Sequence, residues 1–125
     1  MRAAVFQEPG TPLAIENVDD PAPAEGQVVI AVKRCGICGT DLHATQEHDG
    51  LLLPGTVMGH EFAGEIVEVG ANCPSDWKPG RKVTGMPSLS CGRCLPCRTG
   101  KPMQCESNII VGLQQSGGFA EYLAL

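Results

Sequence analysis

Four cysteines crowd one loop, Ser90 to Cys105, which reads SCGRCLPCRTGKPMQC. Cys91, Cys94, Cys97 and Cys105 give the spacing Cys-x2-Cys-x2-Cys-x7-Cys. The near-regular triplet can wrap one side of a metal ion while the last thiolate closes a tetrahedron, and four soft thiolates with no open position make a structural zinc site. Disulfides fit poorly: nothing marks secretion, the total of seven cysteines is odd, and two-residue spacings rarely suit cross-links. An iron–sulfur cluster is the closer rival, because bacterial ferredoxins share the Cys-x2-Cys-x2-Cys start, but their run continues with x3-Cys-Pro, which this loop lacks. On spacing alone the expectation is zinc.

A second group of chemically capable residues lies upstream, in RCGICGTDLHA (Arg34 to Ala44) and GHEFAGEIVEVG (Gly59 to Gly70). Cys38, His60 and Glu61 are metal-ligand types near the ends of two predicted strands. Each also has a plain alternative: Cys38 as a small buried hydrophobe, His60 as a satisfied histidine, Glu61 as a solvated charge. HEFAG has no second histidine four residues on, so it is not a zincin helix. Cys35 and Cys38 form a Cys-x2-Cys pair, yet the surrounding strand pattern lacks the long helix that a thioredoxin-like redox motif opens.

The elements that must position these residues are short. With 125 residues, 42% of them hydrophobic, one small domain can close a core and a second full domain does not fit. Sixteen glycines and ten prolines break the chain into brief segments, and no helical apolar period runs beyond about two turns. The prediction is a mainly β protein. Strands are expected at Arg2–Gln7, Leu13–Val18, Gln27–Arg34, Phe62–Val69, Lys82–Gly85 and Phe119–Leu125, with one short helix at Thr40–Gln46. Trp77 is expected to pack under the turn leading into Lys82, and Gly117-Gly118 to form a strand-entry turn. The formal charge of −5 and nine scattered basic residues argue against nucleic acid or an anionic membrane as partner. No long apolar run and no signal-peptide pattern is present, which leads to the expectation of a cytoplasmic protein.

Together and in this order, CGICGTDLH, GHEFAGEIVEVG, the PGRKV turn, CGRCLPCRTGKPMQC and GGFAEY resemble the N-terminal half of the zinc-dependent medium-chain alcohol dehydrogenases. The resemblance covers nearly all of the chain. It implies a GroES-like β-barrel with short helices and the four-cysteine loop as a separate structural-zinc lobe. It further implies that Cys38 and His60 are ligands of a catalytic zinc, with Glu61 either a ligand or a carboxylate close behind. Such a zinc keeps one exchangeable position for water or substrate. Asp41 would bond the far nitrogen of His60 and set its tautomer. Thr40 matches the hydroxyl that takes the alcohol proton, and His43 the position that relays it toward solvent. The implied reaction is oxidation of a small-molecule alcohol by hydride transfer to NAD or NADP, with zinc as Lewis acid. Family members are commonly dimers or tetramers, so a homo-oligomer is expected.

Gly39, directly after Cys38, is more like the polyol and threonine dehydrogenase branches than the liver-type enzymes, which carry a basic residue there. A secondary alcohol or polyol is therefore favoured over a simple primary alcohol. The loop Thr45 to Pro54 is expected to border the substrate mouth. His48 within it, Cys35 and Cys73 carry no assigned role. No two glycines stand as Gly-x-Gly, so the dinucleotide fingerprint is absent. The expectation is that the Rossmann domain and the remaining catalytic-zinc ligand lie outside these residues, leaving the chain inactive alone. A free-standing zinc-binding β-module that mediates protein contacts is the alternative.

Overall fold

The computed structural model describes residues 1–46 and 51–125, so His48 falls outside the described residues. Eight strands are present among them: β1 (Arg2–Val5), β2 (Ala14–Asn17), β3 (Val28–Gly36), β4 (Glu61–Val69), β5 (Lys82–Thr84), β6 (Ser88–Leu89), β7 (Ile109–Ile110) and β8 (Tyr122–Ala124). Helix α1 (Gly39–Ala44) follows β3, and a single helical turn α2 (Leu95–Arg98) sits in the cysteine loop, followed by a 3-10 turn at Pro102–Gln104. The mainly β expectation is met, and the six expected strands and the helix each correspond to an observed element within a few residues. The β6–β7 hairpin and α2 were not expected from the sequence. Two-residue strands are too short to show an alternation, and α2 places Pro96 in its first turn, where its missing N–H costs nothing.

The central sheet runs β5-β4-β3-β8 and is antiparallel throughout. On β4, Phe62, Gly64 and Ile66 point inward while Glu61, Ala63 and Val67 point to the exposed face, the period of two that FAGEIVEV carries. Phe62 and Ile66 join Val28, Ile30, Val111 and Leu123 in the main core. Each such side chain contributes about 1.5–3 kcal/mol of burial. A second cluster, Phe6, Leu52, Met58 and Leu113, holds Ala44 and so anchors α1. Trp77 corrects its expectation in part: it stays 39% exposed on the rim of a hollow of about 290 Å³ shared with Ile66, Val83 and Leu125.

Two irregularities aim the ends of β3 and β4. The pairing runs from Val28 opposite Val69 to Gly36 opposite Glu61, with register shifts between Val29 and Ile30 and between Val32 and Arg34. The second leaves Lys33 without a partner on β4 and turns the last three pairs, Arg34–Ala63, Cys35–Phe62 and Gly36–Glu61, relative to the rest. The segment just before β4 is pinned from outside the sheet. Gly117, Gly118 and Phe119 donate their N–H groups to the carbonyls of Val57, Gly59 and Met58 at 2.7, 2.7 and 2.8 Å. Gly117 and Gly118 thus do more than turn into a strand. A side chain on Gly117 would strike the Gly59 carbonyl, and one on Gly118 would stand 3.1 Å from Cys35 Sγ and 3.0 Å from Phe62 Cβ.

Gly59 has φ +93° and no room for a Cβ, which would lie 2.6 Å from the Phe119 ring. Gly59→Ala is expected to cost about 2–4 kcal/mol, combining roughly 1 for the left-handed backbone with about 1–3 for overpacking. Urea unfolding should show a lower midpoint at unchanged slope; an unchanged midpoint would show that this packing is soft.

Candidate functional site

The four-cysteine loop builds its site from local turns. Cys94 caps α2, Cys97 lies within it, Cys91 precedes it, and Cys105 follows the 3-10 turn. One sulfur from each of the four residues lies within 4.8 Å of the other three. The Cys94–Cys97 and Cys94–Cys105 sulfurs are 3.4 and 3.9 Å apart. Four sulfurs about 2.3 Å from one tetrahedral ion stand roughly 3.8 Å from each other, so the spacing suits a single zinc. An iron–sulfur cluster would place several irons and sulfides between its cysteines and spread them further.

Backbone amides complete the cradle. Cys105 Sγ accepts from Cys91 N–H at 3.3 Å and Ser107 N–H at 3.4 Å, and Cys91 Sγ accepts from Cys94 N–H at 3.4 Å. The backbone N–H groups of Arg93 and Cys94 pull the Cys91 thiol down to about 6. Burial, then hydrogen bonding with Cys94 and Cys105, pushes Cys97 up to about 12. Crowded thiols ionise unequally, and a divalent cation at their centre is what lets all four carry charge.

The second group is assembled from distant segments. Cys38 leaves the end of β3 and occupies the N-cap of α1 with extended backbone, φ −93° and ψ 157°. His60 and Glu61 stand at the start of β4. Cys38, His60 and Glu61 each bring one ligand atom within 4.8 Å of the others; Cys38 is half-buried, His60 buried and Glu61 exposed. Asp41, 4% exposed, accepts the Cys38 N–H through Oδ2 at 2.8 Å. Its Oδ1 faces His60 Nδ1 at 3.4 Å. These two atoms are buried and, among the described residues, have no hydrogen-bond partner. With Nδ1 facing the Asp41 carboxylate, Nε2 is the ring nitrogen left to meet an ion. One thiolate, one imidazole and one carboxylate fit a zinc that keeps an open position.

Thr40 Oγ1 is 3.6 Å from Cys38 Sγ, on the exposed side of α1. His43 lies three residues on, on the same helical face, and is exposed. Cys35 and Cys73 belong to neither ligand group, although Cys35 borders the second, close to the Glu61 backbone and the Asp41 carboxylate. Burial raises the Cys35 thiol pKa, and Cys73 Sγ donates to Gln27 O at 3.2 Å while packing on the main core. Sequence reasoning passed over Gly36, which lies opposite Glu61; no spacing rule could have singled it out, because its role depends on its cross-strand partner.

The family model of the alcohol dehydrogenase GroES-like domain matches residues 24–125, and the chain belongs to that family. It is 36% identical over 125 residues to L-galactonate-5-dehydrogenase of Escherichia coli K12, covering 100% of this chain and 36% of the relative. It is 40% identical over 126 residues to L-threonine 3-dehydrogenase of Bacillus licheniformis, covering 98% of this chain and 36% of that enzyme. Among solved structures, a zinc-binding dehydrogenase from Sinorhizobium meliloti 1021 bound to NADP superposes with TM-score 0.89 at 36% identity, covering 99% of this chain and 35% of the other. The chain thus spans about a third of the length of the relatives it matches. Among the described residues no helix is long and apolar enough to cross a membrane.

The two donor sets differ in softness and closure, which sets an order of metal retention. Zinc held by four thiolates should survive dialysis against a moderate chelator, while metal at Cys38, His60 and Glu61 should leave first. Cys97→Ser should abolish the tightly held equivalent in elemental analysis. Retention of that equivalent in the variant would remove Cys97 from the ligand set.

Proposed function

We propose that these residues form the zinc-bearing part of the catalytic domain of an NAD(P)-dependent dehydrogenase that oxidises a secondary alcohol or polyol. The observation that carries this reading is the convergence of Cys38, His60 and Glu61, with Asp41 buried behind His60 and Thr40 beside Cys38. In the proposed assignment Cys38, His60 and Glu61 hold the catalytic zinc, and Cys91, Cys94, Cys97 and Cys105 hold a structural one. Zinc bound at the first set supplies Lewis acidity toward an alcohol oxygen.

The remaining work falls to the chain's own side chains. Asp41 orients two of the three ligands at once, bonding the Cys38 amide and facing the His60 ring. Thr40 Oγ1 accepts the substrate proton, and His43, one turn along α1 on the exposed face, passes it outward. A threonine hydroxyl does not store an extra proton, because the doubly protonated oxygen is a very strong acid; it relays by releasing its own proton toward the His43 imidazole as it takes up the substrate's.

Substrate class is inferred from Gly39 and from the named relatives. Nothing lies within 4 Å of where a Gly39 side chain would begin, so the glycine leaves open, uncharged surface beside Cys38. The carbons named in the galactonate and threonine dehydrogenases are secondary carbinol carbons, which supports the same class. A nicotinamide cofactor is supported by the NADP-bound relative.

In the complete enzyme, Thr40→Val should lower kcat/KM for a polyol by about 10²–10⁴-fold with zinc content unchanged. Activity within threefold of the parent would take Thr40 out of proton transfer. The 125 residues contain no Gly-x-Gly-x-x-Gly cradle, so calorimetric titration of NAD or NADP into this polypeptide should give no binding heat. Saturable binding would mean that the cofactor is held by a surface of this domain.

A further inference from the structure

Gly36 closes β3 directly opposite Glu61. Eight glycines among the described residues have positive φ, but Gly36 is not one of them; it sits in strand backbone that any residue adopts. Its lack of a side chain therefore answers to space. A Cβ built there would stand 2.6 Å from Glu61 Oε2, 3.3 Å from Glu61 Cβ and 3.7 Å from Glu61 Cδ. The Glu61 side chain thus lies back across the strand pair, over Gly36, and that path brings its carboxylate within reach of Cys38 Sγ and the His60 ring.

We infer that Gly36 is a positioning residue for the metal site: it keeps the cross-strand space through which the Glu61 carboxylate reaches the ion. This inference rests on the proposed assignment of Cys38, His60 and Glu61 as ligands. Exposed on its face of the sheet, Glu61 would otherwise extend into water, where a carboxylate is well solvated and its rotamers are free. A glycine directly opposite lowers the cost of the folded-back rotamer, because the side chain lies over backbone instead of a neighbour's methyl group. The conflict with an added Cβ is at the tip of a flexible side chain, so Gly36→Ala should move the carboxylate away and leave the fold intact.

The test loads the four-thiolate site with zinc and titrates cobalt(II) into the second site, following the thiolate-to-cobalt charge-transfer band and the visible ligand-field bands. Circular dichroism checks the fold of each variant. Gly36→Ala should weaken the second cobalt by about 10–100-fold, the range seen when a group that orients a metal ligand is lost. The effect should vanish in a Glu61→Gln background, since Gly36 acts through that carboxylate. Equal cobalt affinity in Gly36→Ala and the parent, or equal weakening with and without Glu61→Gln, overturns the inference. A parent protein that takes up no second cobalt overturns the ligand assignment itself, a distinct result. Should Gly36→Ala fail to fold, a Glu61→Ala background decides: recovery of the fold by circular dichroism shows that the added methyl meets the folded-back Glu61 side chain and supports the inference, and persistent misfolding overturns it.

Discussion

Antiparallel pairing of β3 with β4 is the contact on which the rest of this structure depends. It links residues about thirty positions apart and carries the inward side chains Val28, Ile30, Phe62 and Ile66 that make the main core. The same ladder runs on to its last pair, Gly36 with Glu61. Beyond that pair the two strands diverge, Cys38 leaving into α1 and His60 arriving from the loop before β4. The metal-capable side chains therefore sit at the mouth of a rigid ladder, where their separation is set by hydrogen-bond register. An extra residue at Lys33 turns this end relative to the remainder of the sheet. Core and site thus share one strand ladder.

The two sites obey different physics. The cysteine loop is local: its four sulfurs come from fifteen consecutive residues, and short turns and backbone amides suffice to gather them. It asks little of the sheet, and its thiolates leave no position for a substrate. The Cys38, His60 and Glu61 group is non-local and mixed in donor type, and it depends on Asp41 to tie helix α1 to the start of β4. Asp41 is almost fully buried, with one oxygen on the Cys38 amide and the other toward His60. A buried carboxylate so placed is costly without partners, and here both partners belong to the site it organises.

Backbone packing explains the glycine-rich segments that surround the site. Val57 to Gly59 and Gly117 to Phe119 lie against each other with three main-chain hydrogen bonds, close enough that side chains at Gly59 or Gly117 have no room. This clamp delivers His60 to its buried position. Nothing in the local sequence of GGFAEY announces it, and a strand-entry turn was the natural expectation for two adjacent glycines.

Much of the fold was legible because it rests on local rules. The alternation of FAGEIVEV marked β4 and its buried face, the apolar run Val28 to Val32 marked β3, and Pro and Gly marked the breaks. The cysteine loop was legible by its spacing, since the four thiols that gather there are neighbours in the chain. The β6–β7 hairpin escaped because two residues hold no period, and the partial exposure of Trp77 because the shape of a hollow is a property of several strands together. By itself, then, the sequence determined the strand pattern, the short helix after Cys38 and the clustering of four cysteines in one loop. Only the tertiary structure decided the register that sets Gly36 against Glu61, the burial that turns Asp41 toward His60, and the clamp on Gly59. Each of these depends on pairing between residues far apart in the chain, and such pairing leaves no periodic trace in either partner alone.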